Sequence, residues 1–296
     1  MSNLLKRSIT GIIIVVAITL GLLINSLVFF LVFFVIMTLV LWEFYHLMHM
    51  VKIRPQYKYG LAMASLMFVL NFFIAAGILD IHYLALLLAL SVFIYINELF
   101  LQHNRPFHNI AYTFLGIIYI ALPFSLFPFF VLSVSGKVAG PVPLEGSEDI
   151  LNYLIQPSHL IHYSPFILLG IFILHWMYDT GAYLSGRWFG KRKLFRRISP
   201  KKTWEGVLGG SLLAIVTAVA LSRFFDQAGV LTWITISLLI IFFGTLGDLT
   251  ESMLKRKIGV KDSGKLLPGH GGFLDRFDGI LLSIPVVFAW LQFMMR

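Results

Sequence analysis

The sequence contains no cysteine and few charged residues. None of its 296 residues is a cysteine, which excludes disulfide bonds and thiolate metal ligands but leaves the redox compartment undetermined. Charged residues make up only 12% of the chain, against about 25% in soluble domains. Apolar residues make up 58%, and the mean hydropathy is +0.87. This composition predicts a polytopic membrane protein.

Nine apolar segments approach the length of about 20 residues that a helix needs to cross the hydrocarbon core of a bilayer. We therefore expect an all-α, polytopic integral membrane helical bundle of about nine transmembrane helices. The first segment follows two basic residues, as in a signal peptide, but no cleavage site is evident after it, so we interpret it as a retained helix. The predicted spans are 8–25, 28–48, 60–79, 83–101, 110–134, 165–186, 206–224, 230–248 and 278–294.

The basic residues predict the orientation of the chain. With the N-terminus in the cytoplasm and the C-terminus outside, all but three of the 23 lysines and arginines lie in cytoplasmic segments. The exceptions are Lys137, Arg223 and Arg296. Because the net charge of +9 is concentrated in these short loops, it favours a membrane topology, and we expect no nucleic acid partner.

The polar segments suggest three regions along the chain. Residues 1–134 contain five spans with short loops and are expected to form an N-terminal scaffold. Residues 135–164 form a loop rich in glycine and proline that carries Glu145, Glu148 and Asp149, and this loop is expected outside the cytoplasm. Residues 165–296 contain four spans and two strongly basic cytoplasmic loops, which makes them the predicted catalytic region.

The first basic loop, which extends from Arg187 to Lys202, combines cations with hydroxyl groups. Asp179 lies within or at the edge of a span, where a carboxylate usually faces a cavity or a partner. Further on, Ser199, Lys201, Lys202 and Thr203 form a turn that leads into the next helix, and Thr203 can cap that helix. Lysine and arginine clusters beside a membrane often serve only topology and lipid attraction. The hydroxyl groups and Asp179 favour a phosphate-binding site instead.

The second polar segment, Ser252 to Asp278, is the more specific one. Asp248 precedes it, and Asp275 and Asp278 lie three residues apart at its end, so that two carboxylates share one face of a helix. Mg²⁺ prefers oxygen ligands and usually takes one or two protein carboxylates together with substrate phosphates. Helix capping is the simpler explanation for one of these acids, but it explains three less well. The nearby cations are Lys255, Arg256, Lys261, Lys265 and Arg276.

A glycine-rich stretch lies inside the second segment. Residues 268–272 read Pro-Gly-His-Gly-Gly, and Gly271 and Gly272 allow the backbone to wrap tightly around a phosphate. His270 is able to hydrogen-bond a phosphate or assist a proton transfer, because its ordinary pKa lies near neutrality. The alternative is a loop histidine that only packs. Lys261 and Asp262 form either part of the site or a simple ion pair.

These motifs resemble the signature of the phosphatidate cytidylyltransferases, also called CDP-diacylglycerol synthases. The resemblance covers about a third of the chain, essentially 179–206 and 244–279, whereas the N-terminal half resembles that family only in being a bundle of spans. It is carried by Asp179–Tyr183, Ser199–Gly206, Ser252–Arg256, Lys261-Asp262, Pro268–Gly272 and Asp275–Asp278.

The resemblance implies the reaction of CTP with phosphatidate in the bilayer to give CDP-diacylglycerol and diphosphate, at the cytoplasmic side of the inner (plasma) membrane. It also implies dependence on Mg²⁺, a K⁺ ion beside it, a homodimer, and a metal centre at Asp248, Asp275 and Asp278. The expected catalytic residues are Asp248, Asp275, Asp278, Lys255, Arg256 and His270. The expected substrate-binding residues are Ser199, Lys201, Lys202, Thr203, Lys261, Gly271, Gly272 and Arg276.

Two other functions remain open from the residues. A Mg²⁺-dependent transferase of the CDP-alcohol phosphotransferase or prenyltransferase type also holds aspartates at helix ends, but it needs a denser acidic pattern than the single Asp-x-x-Asp here. A transporter would use Glu43, Glu98 and Asp179 within or near the spans. We rank it lower because the carboxylates cluster at one face. Glu43 and Glu98 are expected only to hydrogen-bond within the bundle or lie near the interface.

Overall fold

The computed structural model describes residues 3–134, 161–264, 266–267 and 271–294. Most of the predicted loop 135–164 lies outside the described residues, and so does His270. The chain divides into two compact units. The first unit comprises Met1–Pro165 and Asp262–Asp275, and the second comprises Phe166–Lys261 and Arg276–Arg296. The proposed division into scaffold, loop and catalytic region stays a prediction.

Helices able to span a membrane dominate both units. Among the residues that the structure describes, eight helices are long and apolar enough to cross a bilayer. The first predicted segment is helical as well, from Asn3 to Leu23. The predicted polytopic helical membrane fold is therefore confirmed, while the orientation of the termini stays a prediction.

In the first unit, aromatic side chains fill the core. Phe33 packs edge to face against Phe127 with ring centroids 5.2 Å apart, and Phe29 lies against Phe72 at 6.4 Å. The hydroxyl of Tyr163 donates a 2.6 Å hydrogen bond to the carbonyl of Leu22. The elements are α1 (Asn3–Leu23), α2 (Ser26–Met50), α3 (Tyr57–Ala75), a 3₁₀ turn (Ile81–Leu84), α4 (Ala85–Leu101), α5 (Pro106–Gly116), a π-helical turn (Ile117–Ala121), α6 (Leu122–Ser125), α7 (Pro128–Val131), β1 (Leu132–Val134) and β2 (Ile161–Tyr163), with β1 and β2 antiparallel.

A buried polar network joins the helices of the first unit near one end. The carboxylate of Glu98 accepts hydrogen bonds from the side-chain amides of Gln56 (2.8 Å) and Asn109 (2.7 Å). It also lies 3.0 Å from Nδ1 of His103. Glu98 is almost fully buried, so these partners replace the water that its charge would otherwise need. The expected hydrogen bonding of Glu98 within the bundle is confirmed.

In the second unit, one helix is much longer than the sequence suggested. Residues Val230–Ile258 form a continuous helix of 29 residues that passes through a π-helical turn. The predicted end at residue 248 is wrong, and Ser252–Arg256 is helical. The elements are α8 (Phe166–Phe189), β3 (Lys193–Phe195), β4 (Ser199–Thr203), α9 (Trp204–Phe224), α10 (Val230–Leu239), the π-helical turn (Ile240–Gly244), α11 (Thr245–Ile258) and α12 (Leu274–Met294), whose first two residues belong to the first unit.

The first basic loop is a β-hairpin and not an irregular turn. Strands β3 and β4 pair antiparallel, with Lys193 opposite Thr203 and Phe195 opposite Ser199. Pro200 lies within β4, in a hairpin of only two strands. The hairpin delivers the chain directly to the first turn of α9.

Candidate active site

Close helix packing places the first part of the site. Helices α8 and α9 approach each other through glycines: a methyl group at Gly206 would lie 2.9 Å from the carbonyl of Ala182, and one at Gly210 would lie 2.7 Å from the carbonyl of Tyr178. Only residues without a side chain allow backbones this close. This contact brings Asp179, on α8, near the start of α9.

The N-terminus of α9 is firmly held. Oγ1 of Thr203 accepts a 3.2 Å hydrogen bond from the backbone N–H of Gly206, which confirms the predicted cap. The carboxylate of Glu205 accepts hydrogen bonds of 3.1 Å from the backbone N–H groups of Lys191 and Arg192. Together these bonds fix the hairpin against the helix start, so that Lys201 and Lys202 have a defined position.

A second close contact places two aspartates together. A methyl group at Gly247 would lie 2.5 Å from the backbone carbonyl of Asp278, and one at Gly279 would lie 3.3 Å from the backbone carbonyl of Gly244. The helix that carries Gly244 and Gly247 therefore packs backbone to backbone against α12. Asp248, which follows Gly247, and Asp278 become neighbours as a result.

A small cavity of about 40 Å³ lies between these helices. Three carboxylates line it, those of Asp179, Asp248 and Asp278, together with the cations Lys202 and Arg276. The Nζ of Lys202 forms an ion pair with Oδ2 of Asp248. One carboxylate oxygen of Asp278 accepts a 2.7 Å hydrogen bond from the N–H of Gly279. The cavity is thus a compact, highly charged space beside membrane-spanning helices.

A larger cleft of about 370 Å³ adjoins this cavity. The two spaces share Asp179, Lys202 and Asp248 in their walls. The cleft adds Arg187 and Lys201, which are both exposed. Its volume and basic lining suit a ligand that carries several phosphate groups.

The donor set fits a divalent cation that is bound together with its substrate. Among the residues that the structure describes, no three His, Asp or Glu side chains are already gathered as a closed metal cage. Asp179, Asp248 and Asp278 instead offer oxygen ligands around one cavity. Mg²⁺ retains several waters and commonly takes only one or two protein carboxylates plus phosphate oxygens, so this arrangement suits it.

Two of the predicted phosphate-binding cations have local partners. Lys255 forms an ion pair of 2.5 Å with Glu251, one helical turn earlier, and the side chain of Glu251 is fully buried. Nη1 of Arg256 lies 3.4 Å from the carbonyl of Val260, just after the helix end. Lys255 thus neutralises a buried carboxylate, and Arg256 contacts the backbone just beyond the end of α11.

The loop from Ser263 to Leu274, here called the signature loop, belongs to the first unit. Oδ2 of Asp275 accepts hydrogen bonds from the backbone N–H groups of Ser263 (3.0 Å) and Gly272 (2.8 Å). Gly271 has a φ of +83°, and a methyl group there would lie 2.6 Å from Oδ2 of Asp275. These contacts give Asp275 and both glycines a part in shaping the loop. Lys261 and Asp262, which precede this loop, are exposed.

Comparison with known proteins identifies the family. The model of the Cytidylyltransferase family matches residues 5–294 of the chain. The chain belongs to this cytidylyltransferase family. The phosphatidate cytidylyltransferase of Haemophilus influenzae is 45% identical over 141 residues, which are 46% of this chain and 49% of that protein. The enzyme of the same name from Staphylococcus aureus is 35% identical over 203 residues, 68% of this chain and 66% of that protein. The chain thus spans between about half and two thirds of the length of these relatives.

Within this member of the family, the structure brings together some of the predicted site residues. Asp248, Asp278, Lys202 and Arg276 line one cavity, and Asp179, whose role the sequence left open, joins them. Asp275, Gly271 and Gly272 lie in the loop of the first unit. Ser199 lies in β4, and Lys201 and Thr203 line the larger cleft. The catalytic and metal-binding roles of all these residues stay predictions.

Sequence reasoning missed the role of Glu43. Oε2 of this glutamate, on α2, accepts hydrogen bonds from the hydroxyl of Ser263 (3.1 Å) and the backbone N–H of Leu274 (2.8 Å). Side chains at Gly264 or Gly272 would collide with the carboxylate, at 1.7 and 2.2 Å from Oε1. The available signal was an acidic residue inside an apolar span, which is costly enough to require a partner. Nothing in the sequence identified that partner.

Proposed function

We propose that this chain is a phosphatidate cytidylyltransferase. In the proposed reaction, a phosphate oxygen of phosphatidate attacks the α-phosphorus of CTP, the bond to the bridging β-phosphate oxygen breaks, and diphosphate leaves as CDP-diacylglycerol forms. The observation that supports this most strongly is the cavity walled by Asp179, Asp248 and Asp278 with Lys202 and Arg276, beside a basic cleft at the membrane-spanning helices.

The nucleophile in this reaction needs little activation. The phosphate of phosphatidate is already an anion, so no deep general base is required. Catalysis then consists of aligning the attacking oxygen with the leaving group and neutralising charge. Lys201, Lys202 and Arg187 line the cleft where the triphosphate would lie, and the diacyl tails would stay in the lipid while the headgroup enters.

Asp248 and Asp278, with Asp179, would hold Mg²⁺. The chemistry that Mg²⁺ supplies when bound there is neutralisation of charge on the phosphoryl oxygens and the departing diphosphate. Lys202 now compensates the charge of Asp248, and it lies in the wall shared by cavity and cleft. Lys202 is therefore placed to bind a substrate phosphate once Mg²⁺ replaces it at the Asp248 carboxylate. The assignments of Asp275 as a further ligand and of a K⁺ beside Mg²⁺ rest on the family resemblance.

The setting of the reaction follows from the charge distribution. The hairpin with Lys201 and Lys202 belongs to one of the two most basic loops, and basic loops face the cytoplasm. We therefore place the site at the cytoplasmic face of the inner (plasma) membrane, where CTP is available. A homodimer is proposed from the family resemblance.

A transfer assay with purified protein tests the proposal. Detergent-purified protein is incubated with radiolabelled CTP and phosphatidate, with and without Mg²⁺. We expect labelled lipid only when both phosphatidate and Mg²⁺ are present, and none from Asp278→Asn. Absence of labelled lipid from folded wild-type protein would overturn the assignment, and CDP-diacylglycerol would then be tested as a substrate for transfer to an alcohol.

A further inference from the structure

The first unit contains a basic cavity that the proposed reaction does not use. It has a volume of about 650 Å³ and lies where the loop after α2 meets the loop between α4 and α5. Its walls include Lys52 and Arg54 from the loop after α2, and His49 at the end of α2 itself. The loop between α4 and α5 contributes His103 and Arg105. Every one of these residues belongs to the first unit.

Among the described residues, the permanent charges in this cavity have no acidic partner within ion-pair distance. Lys52, Arg54 and Arg105 are exposed, and in the described part of the chain none of them forms an ion pair with a carboxylate. Glu98, the carboxylate of the adjoining network, is buried and already bonded to Gln56, Asn109 and His103. The cavity therefore concentrates positive charge that an anion from outside would neutralise.

The cavity walls include both unusual backbone positions of the described chain. Lys52 has a φ of 59° and Gln102 a φ of 48°, and these are the non-glycine residues with positive φ among those that the structure describes. Each follows the end of a helix, α2 and α4, where a left-handed residue turns the chain away from the helix axis. The backbone N–H of Arg54 donates 2.8 Å to Oδ1 of Asn109, on α5, which fixes the first loop to the wall opposite. The concave shape is therefore built into the backbone.

An apolar groove continues from the basic cavity. It has a volume of about 300 Å³ and shares Gln102 and His103 with the cavity. Leu99 and Phe107 line it and are 74% and 81% exposed. The helix that begins at Ile81 and ends at Leu101 is membrane-spanning in length and composition, so we expect this groove to face hydrocarbon near its boundary with the headgroups. A basic cavity and an apolar groove are thus joined end to end.

We propose that this cavity and groove bind an anionic phospholipid, with its phosphate among Lys52, Arg54 and Arg105 and the first part of one acyl chain along Leu99 and Phe107. General attraction of basic loops to acidic membranes depends on charge near the surface and not on the position of each cation. A built site differs because it loses affinity when the lining cations are removed and keeps it when a neighbouring cation is removed. The proposal does not depend on the proposed catalytic function.

The test measures lipid binding to the full chain directly. Purified protein is titrated with dioleoyl-phosphatidylglycerol, and with dioleoyl-phosphatidylcholine as the zwitterionic comparison, and bound lipid is counted by native mass spectrometry. We expect Arg54→Gln to weaken phosphatidylglycerol binding by about fivefold, from the loss of one cation near the membrane surface. Lys58→Gln, an exposed cation near the first loop but outside the cavity, is the matched control and should bind as the wild type does.

Two further arms separate the possible sources of binding. Phe107→Ala, at a strongly exposed position that does not threaten the fold, should weaken binding of the long-chain lipid and leave competition by soluble glycerol 3-phosphate unchanged. Lys202→Gln alters the candidate active site in the second unit and should leave phosphatidylglycerol binding intact. Equal losses in the Lys58 variant and the cavity variant, or a loss only in the Lys202 variant, would overturn the proposal. Full affinity for inorganic phosphate without an acyl chain would overturn the lipid assignment.

Discussion

Oε2 of Glu43 accepts a 2.8 Å hydrogen bond from the backbone N–H of Leu274, a residue 231 positions further along the chain. Leu274 begins the last helix, so its N–H has no partner within that helix. The same carboxylate oxygen accepts from the hydroxyl of Ser263. A side chain of the N-terminal region therefore holds both ends of the signature loop, from Ser263 to Leu274.

Removal of the Glu43 carboxylate should destabilise this loop. Glu43→Ala leaves a buried hydroxyl and a helix N-terminal N–H without their acceptor, at a cost of about 1–3 kcal/mol for each group. We expect a lower thermal unfolding midpoint and a fall in kcat of at least about tenfold, because a displaced loop misplaces groups by distances that matter in catalysis. Glu43→Gln keeps one acceptor oxygen, so its unfolding midpoint and kcat should lie between those of the wild type and Glu43→Ala. Wild-type stability and kcat in Glu43→Ala would contradict this role.

Gly272 should tolerate no side chain. The added methyl group of Gly272→Ala would lie 2.0 Å from Oγ of Ser263 and 2.2 Å from Oε1 of Glu43, so the loop has to move. We expect a loss of stability of about 1–3 kcal/mol, as for overpacked cores, measured by thermal unfolding in detergent. Gly229→Ala is the control, because nothing lies within 4 Å of the added atom there. Equal unfolding midpoints for both variants would contradict the prediction.

Replacement of Lys202 should change metal dependence as well as rate. Lys202→Met leaves Asp248 without its cation, so Mg²⁺ competes with no resident charge for that carboxylate. We expect half-saturation at a lower Mg²⁺ concentration together with a kcat/KM reduced about 100-fold, since one phosphate-binding cation is lost. Lys193→Met, at an exposed position of the same hairpin, should change neither quantity. A higher Mg²⁺ requirement in Lys202→Met would show that the lysine does not compete with the metal.

Asp278→Asn should abolish transfer without unfolding the protein. Asparagine retains an oxygen that can accept the hydrogen bond from the N–H of Gly279. It lacks the negative charge that favours binding of a divalent cation. The expected loss is about 10³-fold or more in kcat, measured with radiolabelled CTP. Asp226→Asn, an exposed acid between α9 and α10, serves as the control for charge removal. Near-normal turnover in Asp278→Asn would remove this residue from the metal site.

The Thr203 cap predicts a stability effect that is separable from catalysis. Thr203→Ala removes the acceptor for the N–H of Gly206 and should cost about 1 kcal/mol, whereas Thr203→Ser should retain most of that stability. The two variants are compared by thermal unfolding and by KM for CTP. If Thr203 also donates to a substrate phosphate, Thr203→Ser rescues KM as well as stability. If its role is capping alone, the KM for CTP is the same in both variants.

The sequence predicted the fold because apolar periodicity is a local pattern, and the same local patterns indicated which residues form the candidate site. Apolar runs located the helices, and the sequence grouped Asp248, Asp275 and Asp278 from their positions at helix ends. Asp248 and Asp278 line one cavity, whereas Asp275 accepts hydrogen bonds from Ser263 and Gly272. The extension of α11 to Ile258 was missed because polar residues were taken as the end of a helix, although the pair Glu251 and Lys255 has the spacing of one helical turn. The β-hairpin was missed because its short basic strands lack an apolar alternation. The Glu43 contacts were beyond sequence reasoning, because no local pattern encodes a partner more than 200 residues away.

The first unit is discontinuous: it takes in residues up to Pro165 and then Asp262–Asp275. This arrangement limits how the protein can be recombined. A chimaera that exchanges only the first 165 residues with a relative would pair a foreign α2 with the native signature loop, and Glu43 or its substitute would meet glycines shaped for a different carboxylate. We therefore expect a functional hybrid to require that the N-terminal segment and this short insert are exchanged together.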